Sequence, residues 1–133
     1  MSRLMSVSFT EQAVRERRKT VTRRKGWWED SRGRRILKPG DHLTLCRKGM
    51  GRKPGEPLER ICEVEVVSVR REHLFSITPD DVAREGFPGM PPATFVLRFF
   101  VDAQGMSVTD IVTRIEWRYV CSPFSCECGG CVL

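Results

Sequence analysis

The stretch Arg15–Trp28, R-E-R-R-K-T-V-T-R-R-K-G-W-W, decides how the rest of the chain is read. It sets Arg15, Arg17, Arg18, Lys19, Arg23, Arg24 and Lys25 against one acid, Glu16. A charge run of this kind is most often a solvated face. Three features point elsewhere. The β-branched Thr20-Val21-Thr22 suits a strand rather than a disordered basic tail. Strand alternation puts Thr20, Thr22 and Arg24 on one face and Val21 and Arg23 on the other. Trp27 and Trp28, beside cations, suit stacking on nucleobases as well as burial in a core. Arg23, Arg24, Lys25, Trp27 and Trp28 are therefore candidate binding residues.

The whole chain supports a folded domain around that stretch. With 133 residues it can bury a hydrophobic core as one domain. Its 40% hydrophobic and 30% charged residues exclude the disordered class. A formal net charge of +6 and a pI near 9.3 favour an anionic partner, most simply nucleic acid. No apolar run approaches membrane-spanning length, so no membrane partner is expected. The start, M-S-R-L-M-S-V-S, lacks the apolar run of a signal peptide. These readings predict a cytoplasmic protein, whose six cysteines are then reduced or metal-bound.

Outward from the basic stretch, Met5, Val7 and Phe9 alternate with small or polar residues and predict a first strand. Ser8-Phe9-Thr10-Glu11 fits a capping box, with a helix from about Thr10 to Arg18. Gly26–Arg35 reads as a surface loop and Lys38-Pro39-Gly40-Asp41 as a tight turn. His42–Cys46 reads as a strand and Gly49–Pro57 as a basic hairpin loop. Arg60–Val69 is the clearest strand. Its apolar face switches from Cys62, Val64 and Val66 to Val67 and Val69, which fits a bulge or a barrel corner. Thr78-Pro79-Asp80-Asp81 starts a short helix that Gly86 stops. Glu85 then sits where the helix dipole opposes a carboxylate, a poor place without another job. Pro91-Pro92 opens a helix to about Ala103 whose phenylalanines read as core. Ile111–Tyr119 is a last strand. The order predicts an α+β fold with a curved or closed sheet.

The segments R-K-T-V-T-R-R, K-P-G-D-H-L-T-L, V-E-V-V-S-V, A-R-E-G-F and V-T-R-I-E-W-R-Y together resemble the ASCH domain family, in particular its small bacteriophage members. The likeness runs from Leu4 to Val120, which makes 1–120 an ASCH domain and leaves 121–133 as a separate cysteine-rich tail. In the family signature G-x-K-x-x-x-x-R, Lys19 and Arg24 take the lysine and arginine places, and Arg17 stands at the glycine. The resemblance implies a PUA-like small β-barrel with flanking helices and a cleft that binds RNA or modified nucleosides. The chain is also similar to the family's bacterial N4-acetylcytidine amidohydrolase. That similarity implies Lys19, Thr22 and Glu85 as catalytic residues.

The chemistry of those residues fits amide hydrolysis, which needs a nucleophile, a base and a partner for the oxyanion. Thr22 offers a hydroxyl. Lys19 can act as base if burial and neighbouring cations depress its pKa. Arg24 can hold the oxyanion, and Glu85 can orient Lys19 or return a proton. The alternatives are a non-catalytic module that reads the RNA phosphate backbone and a phage protein that binds a host factor. Cys121, Cys126, Cys128 and Cys131 follow one another as C-x4-C-x-C-x2-C, and four thiolates in so short a segment suit one Zn²⁺. Cys46 and Cys62 lie in predicted strands and read as core.

Overall fold

The computed structural model describes residues 3–47, 53–57 and 59–120. Five strands form one mixed sheet in the order β1-β3-β4-β5-β2. They are β1 (Arg3–Ser6), β2 (Val21–Arg24), β3 (His42–Cys46), β4 (Arg60–His73) and β5 (Ile111–Tyr119). β1 runs parallel to β3, and the other pairs are antiparallel. The α-helices are short: α1 (Glu11–Arg15), α2 (Pro79–Arg84) and α3 (Pro92–Val96). This is an α+β fold in which a curled half-barrel sheet carries a few helices, as the sequence predicts.

The sheet curls because β4 is long and bulged. Val66 faces Trp117 and Ser68 faces Glu116, so Val67 is the extra residue. The bulge sits where the sequence places its change of face. Val67 is turned out to solvent, however, and does not join the inner face as its position in the run implied. Val69 resumes packing on the core opposite Ile115. One bulge thus keeps Val64, Val66 and Val69 inward on a strand that turns a corner. Leu43, Leu45, Val64, Ile115 and Trp117 fill the concave side. Each such buried side chain contributes about 1.5–3 kcal/mol. A second cluster, with Leu74, Val82, Phe95 and Phe100 among its members, packs beneath α2 and α3.

Three local expectations are corrected. First, the chain after β1 turns into a 3-10 turn at Ser8–Thr10, so Phe9 leaves the strand pattern and is 87% exposed. Second, α1 ends at Arg15, earlier than Arg18, and the capping box makes no side-chain cap bond. Glu11 instead takes Arg15 and Arg47 as partners, and these hold its carboxyl down at about 2. Arg17 adopts φ 59°, with Arg17 N–H donating to Val14 and Arg18 N–H to Ala13, the paired bonds of a Schellman ending. Third, the helix from Pro92 widens at Leu97–Asp102 into a π-helical turn. Phe95 and Phe100 are buried as expected, but Phe99 is only half-buried.

α2 follows its sequence signals closely. The Thr78 hydroxyl caps the Asp81 N–H at 3.2 Å, Pro79 takes the first turn, and Glu85 is the C-cap. Gly86 has φ +113°, and a Cβ there would lie 3.0 Å from the Ala13 Cβ. Only glycine meets both demands, which bring the end of α2 against α1.

Candidate functional site

Lys19 lies in the short link between α1 and β2, and the backbone fixes it from both sides. Its N–H donates to Ala13 O at 3.3 Å. Its carbonyl accepts from the Trp117 indole at 3.0 Å and from the Tyr119 hydroxyl, both on β5. Burial pushes the Tyr119 hydroxyl up to about 12, so it stays a donor. Thr20 N–H bonds to Arg84 O at 2.8 Å and ties the same link to α2. The side chain is thereby aimed at the end of α2. Lys19 Nζ donates to Glu85 O at 2.9 Å and to Glu85 Oε1 at 3.3 Å. Both residues are only 3% exposed. Burial pulls the Lys19 pKa below 10.5, Arg24 and Arg23 add to the fall, and Glu85 opposes it.

Glu85 is shared. Its second oxygen, Oε2, accepts from Arg23 Nη1 at 3.0 Å. The poor helix-terminal position of this carboxylate is thus compensated by two cations. Arg23 itself stands directly opposite Arg114 in the β2–β5 register. Like charges facing each other across strands repel. Asp81 resolves the conflict. It accepts from Arg23 and takes two bonds from Arg114, at 2.8 Å and 3.0 Å. Glu72 lies 3.4 Å from Arg23, and Glu116 accepts from Arg114 at 3.1 Å. Asp81, Arg114 and Glu72 were not among the residues singled out from the sequence. One signal was available: Asp81 and Glu85 are spaced i, i+4 on a helix, so they share a face.

Lys19, Thr22, Arg23, Arg24 and Glu85 all line one cleft of about 450 Å³. That volume lies within the roughly 300–1,000 Å³ usual for small-molecule sites. Thr22 is buried and its hydroxyl accepts from Arg24 Nε at 3.3 Å. Arg24 Nη2 donates to Ser6 O at 2.7 Å, across the gap between β2 and β1. The facing wall is aromatic. Phe87, Phe95 and Phe99 lie against one another with ring centroids 4.6–5.4 Å apart. Phe9 stands at the mouth with Ser8 and Thr10.

Lys25, Trp27 and Trp28 do not line this cleft. Trp27 packs on the core, with φ 70° at its backbone. Trp28 is covered by Arg35, whose guanidinium carbon sits 3.3 Å from the ring centroid. Cys46 is buried and Cys62 half-buried. The four candidate zinc ligands, Cys121, Cys126, Cys128 and Cys131, lie outside the described residues. Among the described residues no group of three or more His, Cys, Asp or Glu side chains could hold a metal ion. None of their helices is long and apolar enough to cross a membrane.

This arrangement of sheet and cleft has counterparts among solved structures. An ASCH domain from Lactobacillus crispatus matches with a TM-score of 0.61, over 89% of this chain and 79% of that one, at 14% identity. The fold is of the ASCH type. A second match is protein EF3133 from Enterococcus faecalis, assigned to DUF984, with a TM-score of 0.65 at 10% identity. It covers 90% of this chain and 80% of that one. No family model matches the sequence, and no curated protein does. In this ASCH-type fold the cleft opens at the seam between β1 and β2, the two edges of the curled sheet.

Proposed function

We propose that the cleft binds a modified nucleoside, free or within RNA, and hydrolyses an acyl group from its exocyclic amine, as in N4-acetylcytidine. The observation that carries this reading is the buried Lys19–Glu85 pair opening on an aromatic-walled cleft that Thr22 also lines, where burial disfavours the charged form of the amine. Perturbed titratable groups gathered in a cleft are the usual mark of proton-transfer chemistry. The phenylalanine wall offers a planar base a face to lie on.

The step runs as an acyl transfer. Thr22 Oγ1 attacks the acyl carbon while neutral Lys19 takes the hydroxyl proton. Arg24, whose Nε donates to the Thr22 hydroxyl, takes the oxyanion in this reading. Lys19 then returns the proton to the departing amine, and water cleaves the threonyl ester to release the acid. The two bonds from Lys19 Nζ to Glu85 fix the amine's direction. Lys19 Nζ bonds Glu85 and Thr22 Oγ1 bonds Arg24, so proton transfer requires the amine to reach the hydroxyl once substrate is bound.

The test follows amine release from N4-acetylcytidine by wild type, Lys19→Met and Thr22→Val. Wild type should turn over, and both variants should lose at least about 100-fold, the usual contribution of acid–base catalysis. The wild-type rate should rise with pH through the lowered Lys19 pKa, because only the neutral amine is a base. Binding of RNA without release of amine from any acylated nucleoside would leave a non-catalytic module. Full activity in Thr22→Val with none in Lys19→Met would replace the threonine by an activated water.

A further inference from the structure

The cations that line the cleft are not equivalent. Lys19 is taken up by Glu85, and Arg23 by Glu85 and Asp81. Arg24 is held by Ser6 O and Thr22. Arg98 lines the same cleft and is exposed, and among the described residues it has no carboxylate, carbonyl or aromatic partner. It sits in the π-helical turn, next to Phe99 of the aromatic wall. Such a turn inserts an extra residue into a helix and re-aims its side chains, and it occurs often at functional sites. Ser8 and Thr10, which also line the cleft, add two hydroxyl groups. The cleft is therefore internally neutralised at the buried Lys19–Glu85 pair, while the exposed Arg98 guanidinium in its lining is unused.

From this we infer that Arg98 is a phosphate site and that the preferred ligand is a phosphorylated nucleoside. This rests on the nucleoside reading of the cleft and names its substrate class. The base lies inward against Phe87, Phe95 and Phe99, toward Lys19. The sugar lies at the mouth beside Phe9, and the phosphate meets Arg98. Arginine suits this place because its planar fork bonds two phosphate oxygens at once and keeps its charge at any relevant pH. Phosphate supply from a free nucleotide or from an RNA strand presents the same chemistry to Arg98.

Calorimetric titration of the full chain at low salt separates the possibilities. The probes, which carry no acyl group to be cleaved during the titration, are cytidine, its 5′-monophosphate, and a short oligoribonucleotide carrying cytidine internally. The monophosphate should bind about five- to tenfold more tightly than the nucleoside. Arg98→Gln should abolish that difference, Arg98→Lys should keep part of it, and salt should erode it in wild type. An oligoribonucleotide tighter than the monophosphate assigns the phosphate to a strand. One equal or weaker assigns it to a free nucleotide. Equal affinity for nucleoside and monophosphate in wild type overturns the phosphate site while the cleft reading stands. So does a preference that survives in Arg98→Gln. If no probe binds, the cleft reading falls and the phosphate site with it.

Discussion

Asp81 shows how a single side chain reconciles two strands. Without it, Arg23 and Arg114 would face each other in register with only Glu85, Glu72 and Glu116 to share their buried charge. Removing one partner of a buried ion pair is worth about 3–5 kcal/mol. Glu85 and Glu116 hold part of the uncovered charge, so Asp81→Asn should cost about 3 kcal/mol. For a chain of this size that lowers Tm by about 10 °C. The sign with pH follows from the carboxyl. Hydrogen bonds from Arg114 and then Arg23 hold the Asp81 pKa far below the 3.8 of a free side chain. The folded state therefore binds fewer protons than the unfolded state between those values. Its contribution is complete well above pH 3.8 and is lost as pH falls below it. Urea midpoints measured from pH 7 to pH 3 should fall more steeply for wild type than for Asp81→Asn. Parallel curves would mean that Asp81 is not the group that titrates. Lys19→Met, by contrast, removes an amine that burial already disfavours in its charged form, and Arg23 still pairs with Glu85. The variant still strands Glu85 O and Oε1, so it should cost about 1–3 kcal/mol, and its loss of turnover is read as chemistry under conditions where circular dichroism shows it folded.

Among the elements, the ending of α1 carries the clearest strain. Arg17 holds φ 59°, and left-handed backbone costs an ordinary residue about 1 kcal/mol or more. Its Nε is buried without a partner, and its guanidinium stands 5.8 Å from the Tyr119 ring. Relief of the backbone outweighs loss of that contact. Arg17→Gly should stabilise the chain by about 0.5–1 kcal/mol in chemical denaturation. Gly86→Ala should do the reverse, at about 2 kcal/mol, because φ and the Ala13 contact both oppose a methyl group. A destabilised Arg17→Gly would mean that stacking on Tyr119 matters more than the dihedral. The elements also show what a sequence can and cannot carry. The α2 cap, the bulge in β4 and the strand at Val21–Arg24 were legible because cap, face change and β-branching are local signals. The place of Phe9 was not, since alternation runs on through Met5, Val7 and Phe9 while the chain turns after Ser6. The widened turn at Leu97–Asp102 was equally hidden, because its apolar spacing is that of an ordinary helix. Lys19 and Glu85 could be paired only through resemblance. They are 66 positions apart, and no local pattern links them.

At the scale of the molecule, the +6 charge does not reside where the basic stretch first places it. Lys19 and Arg23 are buried in ion pairs, and Arg24 spans the seam of the sheet. β1 is hydrogen-bonded to β3 and β2 to β5, so the sheet has two free edges, and they meet at the cleft. A backbone ladder across that seam would close the barrel and abolish the cleft. Among the described residues the Arg24 guanidinium bridges it instead, from Nη2 to Ser6 O, with the cleft beside it. Arg24→Met keeps much of the side chain's apolar volume and removes the bridge. Ser6 O then loses its partner, which should cost about 1–2 kcal/mol. The loss should be local, because Met5 and Val7 remain packed in the core and the three central strands keep their pairing. Native-state amide exchange is the measurement. Amides of β1 and Val7 should exchange about tenfold faster than in wild type, while those of β4 and β5 change far less. Equal acceleration throughout the sheet would make Arg24 a support of the whole fold. Unchanged exchange in β1 would assign the seam to apolar packing, with Arg24 left free to serve the ligand alone.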